Sequence, residues 1–486
     1  MALAPETLVI AAVVVPFVGA ALIPLFSKAP NPREAVTLLT AAVLCFCTFS
    51  LIGPVLSGAQ PSFDVIAVAP GLDLAFRVEP LGLLFALVAS SLWVVNSVYS
   101  IGYMRGNDEP RQTSFYVYFA IALGSTIGIA FAKNLFTLFL FYEALTLSTF
   151  PLVAHKQDAK ALRGARIYLA MLLGSSLLLF LPAIVITAFY AQTLDFTPGG
   201  ILAGKADLFV VTALTILYVF GIGKAAVMPG HFWLPEAMVA PTPVSALLHA
   251  VAVVKAGVFT VVKVAVYILG IDLLAAAGQA QWLTIVAGFT IVAASLVALR
   301  QDNLKKRLAY STVSQLSYVV LGVAILTPVS VVGAAMYIAA HAFSKITLFF
   351  AAGSLHTAAH LDNISQLDGV GRRMPWTMGA FAVGALGMIG VPPAVTFIGK
   401  FLMIGGAVQS LNGIAIAVIA ASTVLNACYF LPIVYRAFFR EPPADHPHGE
   451  APLPMVIALT ITAIGTVALF VFSALPFDLA TLMVMR

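Results

Sequence analysis

The chain has 486 residues, of which 61% are hydrophobic and 9% charged, with a formal net charge of +5. A globular domain carries roughly 25% charged residues, so this chain has too little polar surface for water and calls for a lipid solvent. The composition excludes a disordered chain, and three cysteines (Cys45, Cys47 and Cys428), read as small buried side chains with no metal-binding spacing, do not make a disulfide scaffold.

A membrane-crossing helix needs about 20 mostly apolar residues. Fourteen such runs begin near residues 5, 34, 80, 114, 134, 164, 206, 243, 279, 306, 329, 375, 411 and 451. The first is long and has no basic stretch before it, so it reads as a retained span and not a cleaved signal. After the second, "DVIAVAPGLDLAFRV" alternates in character and predicts a surface β-hairpin. The fifth carries Glu143 within "NLFTLFLFYEALTLSTF". The seventh runs to Lys224 and then meets "AAVMPGHFWLPEAMVAPTP", where Pro229, Gly230, Pro235, Pro241 and Pro243 interrupt it. The eighth holds His249, Lys255 and Lys263, the eleventh His341 and Lys345. The twelfth is interrupted in "GMIGVPPAVTFIGKFLM" and carries Lys400. Connections are short, and no soluble domain fits between the spans.

The distribution of charge sets the expected orientation. With the N-terminus outside, alternate connections on the inner side carry 16 Lys and Arg and those on the outer side four. That bias matches the positive-inside rule, places both termini outside, and explains the basic balance without nucleic acid.

Five lysines (Lys224, Lys255, Lys263, Lys345 and Lys400) and Glu143 remain inside spans. Each charge at the bilayer centre costs at least about 2.5–3.5 kcal/mol on insertion scales. Lys263, near the outer end of its span, is expected to snorkel to the interface. The others are expected to face the interior of the bundle, where a buried Lys beside a Glu exchanges protons readily. His341 and Lys345, four residues apart, share a helical face. Nearby hydroxyls at Thr146, Ser148, Thr149, Ser245, Ser344 and Thr347 are placed to carry water. Broken backbone at membrane depth is tolerated inside protein or beside a water-filled cavity, and paired breaks point to inverted repeats with an ion site at each. The two breaks lie five spans apart. The fold class expected is therefore an all-α polytopic membrane protein of about fourteen helices, with two inverted five-helix repeats (helices 4–8 and 9–13) and broken helices 7 and 12. Residues 1–113 form the first three helices with their external hairpin, 114–270 the first repeat, 271–438 the inverted second repeat and 439–486 the last helix.

"MPGHFWLPEAMVAPTPVSALLHAVAVVKAGVF", "DNLKKRLAYSTVSQLSYV", "AAHAFSKITLFFAAGSLH" and "GVPPAVTFIGKF" resemble the proton-conducting antiporter-like subunits of respiratory complex I. They also resemble the D-type component of multi-subunit Mrp cation/proton antiporters and the matching subunits of membrane-bound hydrogenases. The resemblance spans roughly residues 75–435. It implies that Glu143 pairs with Lys224, that Lys255 and His341 are the central amine and imidazole, and that Lys400 is the terminal residue of the axis. It also matches His249 to the "SALLHA" histidine and Lys305 to the lysine of the basic loop. The chain ends about a dozen residues after its last span, without the long lateral helix of complex I's distal subunit, and in size is closer to the Mrp D-type component.

The function expected is proton translocation along Glu143, Lys224, Lys255, His341, Lys345 and Lys400, with exchange against Na+ or another monovalent cation as one form of it; Lys263, Lys305 and His249 are accessory. The same residues would serve a quinone- or hydrogenase-linked redox pump, or energise an inorganic-carbon uptake complex; a structural spacer without transport is the reading the lysines weigh against. The chain carries no flavin, nucleotide or iron–sulfur motif, so no cofactor is expected and any driving chemistry would come from partner membrane subunits. The expected location is the bacterial inner membrane.

Overall fold

The chain, described here by a computed structural model over residues 4–69, 71–442 and 449–485, is a bundle of long apolar helices with one small hairpin. Pro5–Leu22 (α1) and Pro30–Ser50 (α2) lead into β1 (Ser62–Ala69) and β2 (Leu72–Arg77), which pair antiparallel. This is the hairpin that the alternating pattern predicts. Then follow α3 (Pro80–Gly106), α4 (Gln112–Ala130), α5 (Leu135–Val153) and α6 (Ala159–Ala191). Starts are chemically marked: Asn134 and Asp158 accept N–H bonds from Thr137 and Ala161 at 2.8 and 2.6 Å, capping α5 and α6.

The second half contains α7 (Leu208–Gly221), α8 (residues 242–269), α9 (Ala280–Leu299), α10 (Leu304–Ala324) and α11 (Pro328–Ala359). It continues with α12 in two pieces (Pro375–Ile389 and Thr396–Gln409), α13 (Gly413–Phe439) and α14 (Leu453–Val471). Among the described residues ten helices are long and apolar enough to cross a membrane. The other four expected spans are α7, α8, α10 and α12. α7 and α12 are broken, α8 carries two lysines, and α10 begins with Lys305, Lys306 and Arg307. The residues after α14 are not a bare tail. They form α15 (Ala474–Met485), which packs against α3 and α11.

Burial divides the helices. α8, α10 and α11 are buried on nearly every side, and α11 packs against α3, α8, α10, α12, α14 and α15. The flanks of α6, α7 and α13 expose large apolar side chains such as Leu178 at 73%, Phe209 at 81% and Val424 at 62%. Such a surface requires lipid or partner helices against it. The cysteines divide the same way: Cys47 is buried and Cys45 half-buried, but Cys428 is exposed, contrary to its reading as a core side chain. The side chain of His249 lies outside what the structure describes.

Candidate functional site

Helix α7 ends at Gly221, earlier than the expected end at Lys224, and Lys224 sits in a short turn (Gly223–Ala225) within the break. The indole N–H of Trp233 donates to the Gly223 carbonyl at 3.0 Å and satisfies backbone that the lost helix leaves open. The turn lies directly on α8, because a Cβ at Gly257 would stand 2.3 Å from the Ala225 nitrogen and the Lys224 carbonyl carbon. Only glycine admits this approach.

Lys224 is fully buried. Its Nζ donates to the Tyr142 carbonyl at 2.9 Å and to Thr146 Oγ1 at 2.6 Å, and lies 3.2 Å from the Tyr142 ring centre. The Tyr142 hydroxyl in turn accepts the Lys224 backbone N–H at 3.2 Å. The expected close pair with Glu143 is corrected here: among the described residues no Glu143–Lys224 ion pair forms, and both carboxylate oxygens are buried without a hydrogen bond. The two groups act on each other through space only. The reason is helical register. Glu143 stands on the side of α5 that carries Leu140 and Leu147, which are 42% and 56% exposed, whereas Tyr142 and Thr146 face Lys224 and take its hydrogen bonds.

Lys255 is buried on α8, with Nζ 2.7 Å from His341 Nδ1 on α11. One turn further, Lys345 donates to Ser311 Oγ of α10 at 2.8 Å. Ser311 is 3.1 Å from the Tyr429 hydroxyl of α13. That hydroxyl donates to Asn426 Oδ1, and Asn426 Nδ2 donates to the Met388 carbonyl at 3.4 Å. Lys400 meets the same carbonyl at 3.4 Å and that of Ile389 at 2.8 Å. Met388 and Ile389 end the first piece of α12, whose last carbonyls lack helical partners and attract a cation. The amine of Lys400 therefore reaches back from the second piece into the break.

The structure thus joins Lys255 to His341, and Lys345 to Lys400, while Lys224 touches α8 through its backbone. Thr146 is the one member of the expected hydroxyl set that contacts a buried amine directly. Tyr142, Ser311, Tyr429 and Asn426 were not singled out from the sequence. Ser311 lies one turn from the basic stretch of the quoted "DNLKKRLAYSTVSQLSYV", and nothing in composition distinguishes the other three from core residues.

Lys263 does not snorkel. It is fully buried, 3.4 Å from Glu79 Oε2, donates to the Ala132 carbonyl at 2.9 Å and lies 4.2 Å from the Phe196 ring centre. Glu79 also pairs with Arg77 at 2.7 Å. This buried group under the hairpin supplies the partner that snorkelling would otherwise replace. Lys305 donates to the Ala240 carbonyl at 2.6 Å and borders a cavity of about 420 Å³ lined by Lys156, Lys160, Lys306, Glu236, His356 and Asp362. It is remote from the buried chain of amines in every contact it makes.

Comparison with known proteins places this arrangement. The chain is 29% identical over 467 residues to "NADH-quinone oxidoreductase subunit N" of Desulforudis audaxviator, covering 91% of each. It is 31% identical over 457 residues to the A/B component of a probable K(+)/H(+) antiporter of Rhizobium meliloti, covering 91% of this chain and 44% of that one. A chain of the Mrp complex from Dietzia sp. superposes with a TM-score of 0.87 at 20% identity, covering 99% of this chain and 97% of that one. Residues 132–426 match the family described as "NADH:quinone oxidoreductase/Mrp antiporter, TM". That stretch holds both helix breaks and every buried amine described above, and the chain belongs to this NADH:quinone oxidoreductase/Mrp antiporter membrane family.

Proposed function

We propose that the chain translocates protons across a membrane as one subunit of a larger complex, along Glu143, Lys224, Lys255, His341, Lys345 and Lys400. The observation that carries this reading is the row of amines at the centre of the bundle. Lys224, Lys255 and Lys345 are wholly buried, Lys400 is 5% exposed, and none of the four has an ion-pair partner among the described residues. Pure scaffolding does not account for four such groups, each costing about 2.5–3.5 kcal/mol or more when charged. Groups that exchange protons with one another spend part of the time neutral, so fewer charges are buried at once and that cost falls. The Lys255–His341 contact is a two-site version of this: the proton resides on either nitrogen of a 2.7 Å hydrogen bond.

The two halves of the row fit two units, residues 114–270 and 271–438, related by inversion. Supporting this, each unit has an interrupted helix with a lysine amine in its break. The charge bias supports both termini on the outer face of the membrane, which we take to be a bacterial inner membrane. Lys263 and Lys305 are accessory, held in separate polar groups. The exposed apolar flanks support neighbouring membrane subunits, as in the relatives whose names describe them as subunits.

Two couplings are open to such a protein. Cation/proton exchange is favoured by the relative named as a probable K(+)/H(+) antiporter, which is 31% identical over 91% of this chain. A redox-driven pump is favoured by the NADH-quinone oxidoreductase relative, which is matched over 91% of both lengths. Lys224→Ala and Glu143→Gln should each abolish coupled proton movement in membrane vesicles while the complex still assembles on a native gel. Wild-type coupling in both variants overturns the relay.

A further inference from the structure

We infer that Ser311 and Tyr429 carry protons between Lys345 and Lys400, with Asn426 positioning the Tyr429 hydroxyl at the break in α12. The inference rests on the relay above and extends it to three residues from two more helices.

The geometry has one direction. Lys345 Nζ donates to Ser311 at 2.8 Å, Ser311 lies 3.1 Å from the Tyr429 hydroxyl, and that hydroxyl donates to Asn426 Oδ1. With the Tyr429 proton committed to Asn426, the bond between Ser311 and Tyr429 has Ser311 as its donor. All three donors therefore point from Lys345 toward the break. Asn426 then donates to the Met388 carbonyl that Lys400 also meets. Ser311, Tyr429, Asn426 and Lys345 are wholly buried, so no bulk water competes for these bonds. Such an aligned row is what a proton hop requires.

The net step is Lys345 ammonium plus neutral Lys400 amine giving neutral Lys345 amine plus Lys400 ammonium. An N–H bond of Lys345 breaks as an O–H bond forms on Ser311. The Ser311 hydrogen passes to the Tyr429 oxygen as the Tyr429 hydroxyl turns away from Asn426, and the Tyr429 hydrogen then passes through one water molecule to the Lys400 nitrogen. Each oxygen ends with the number of hydrogens it began with, and no electron is transferred. An amide accepts protons poorly, so Asn426 acts as a positioning residue: it holds the phenol in line and marks where the water must take over. The hydroxyls then rotate back before the next proton.

A purely structural role gives the same contacts, and the test separates the two. Ser311→Ala and Tyr429→Phe each remove one oxygen and add no volume. In vesicles carrying the full complex, each should slow proton movement at least tenfold with assembly intact on a native gel. The double variant should be no slower than the slower single one, since both interrupt one path. Ser311→Gly is the decisive variant. It opens space for a water in place of the hydroxymethyl group and should transport faster than Ser311→Ala. A structural serine predicts the reverse, because glycine inside a helix is worse than alanine. The inference is overturned by wild-type rates in Ser311→Ala and Tyr429→Phe, or by Ser311→Gly performing no better than Ser311→Ala. Lys345→Met and Lys400→Met, run alongside, report on the relay itself. If they are inactive while the hydroxyl variants are normal, only the wire fails; if they are normal, the relay fails.

Discussion

Thr146→Val tests how tightly the relay depends on a single hydroxyl. Valine has the shape of threonine and replaces the hydroxyl with a methyl group. The change removes the 2.6 Å bond from Lys224 Nζ, one of two hydrogen bonds that hold this buried amine. A hydrogen bond to a charged group contributes about 1.5–3 kcal/mol. The Thr146 hydroxyl also donates to the Tyr142 carbonyl at 3.2 Å, and losing that bond removes one donor that competes with Lys224 for it. This partial compensation favours the lower end of the range, or about a tenfold fall in the rate of proton movement at roughly 1.4 kcal/mol per decade. Thr146→Ser retains the oxygen and loses only a methyl group, so it should stay close to wild type. The assay is proton uptake by vesicles with assembly checked on a native gel. A valine variant within twofold of wild type would refute the reasoning. So would a serine variant as slow as the valine one, since lost packing would then be the cause.

Lys400→Arg should preserve assembly yet stop transport. A guanidinium donates to the Met388 and Ile389 carbonyls as an ammonium does, but it does not give up its proton at accessible pH; near-normal coupled transport would leave Lys400 a structural role. His155, in the connection between α5 and α6, should make the protein acid-sensitive. Burial first, and then the positive charge of Arg111, lower its pKa from 6.5 to about 4, so at neutral pH it faces Glu109 at 3.7 Å as an uncharged ring. Below pH 6.5 the unfolded chain takes a proton that the folded chain resists until about pH 4, so stability falls across that window and levels off beneath it. His155→Gln should therefore lose less thermal stability than wild type between those two values, measured as the melting temperature in detergent, and parallel pH profiles would contradict this.

The breaks in α7 and α12 were legible because proline and glycine cannot be disguised: Pro229, Pro241, Gly390, Pro392 and Pro393 interrupt apolar runs whatever surrounds them. The buried lysines were legible for a related reason. A charge costs so much in hydrocarbon that its presence inside a span marks an interior position. Spans, breaks and the main amines of the candidate site therefore followed from local chemistry alone.

Partnership did not. Lys263 read as a snorkelling residue because its partner Glu79 lies in a distant connection, and only the fold brings the two to 3.4 Å. Glu143 read as contacting Lys224, yet the register of α5 presents Tyr142 and Thr146 to that amine instead. In a soluble helix an apolar stripe would have revealed which face is buried. In a membrane the lipid is as apolar as the core, so hydropathy follows depth along the helix axis and carries little information around it. The same loss hid Ser311, Tyr429 and Asn426, ordinary residues until α10, α11, α12 and α13 converge on them. The sequence by itself determined which charges lie inside the membrane; tertiary packing decided which groups they meet, because those meetings depend on helix rotation, to which the solvent on either side is indifferent.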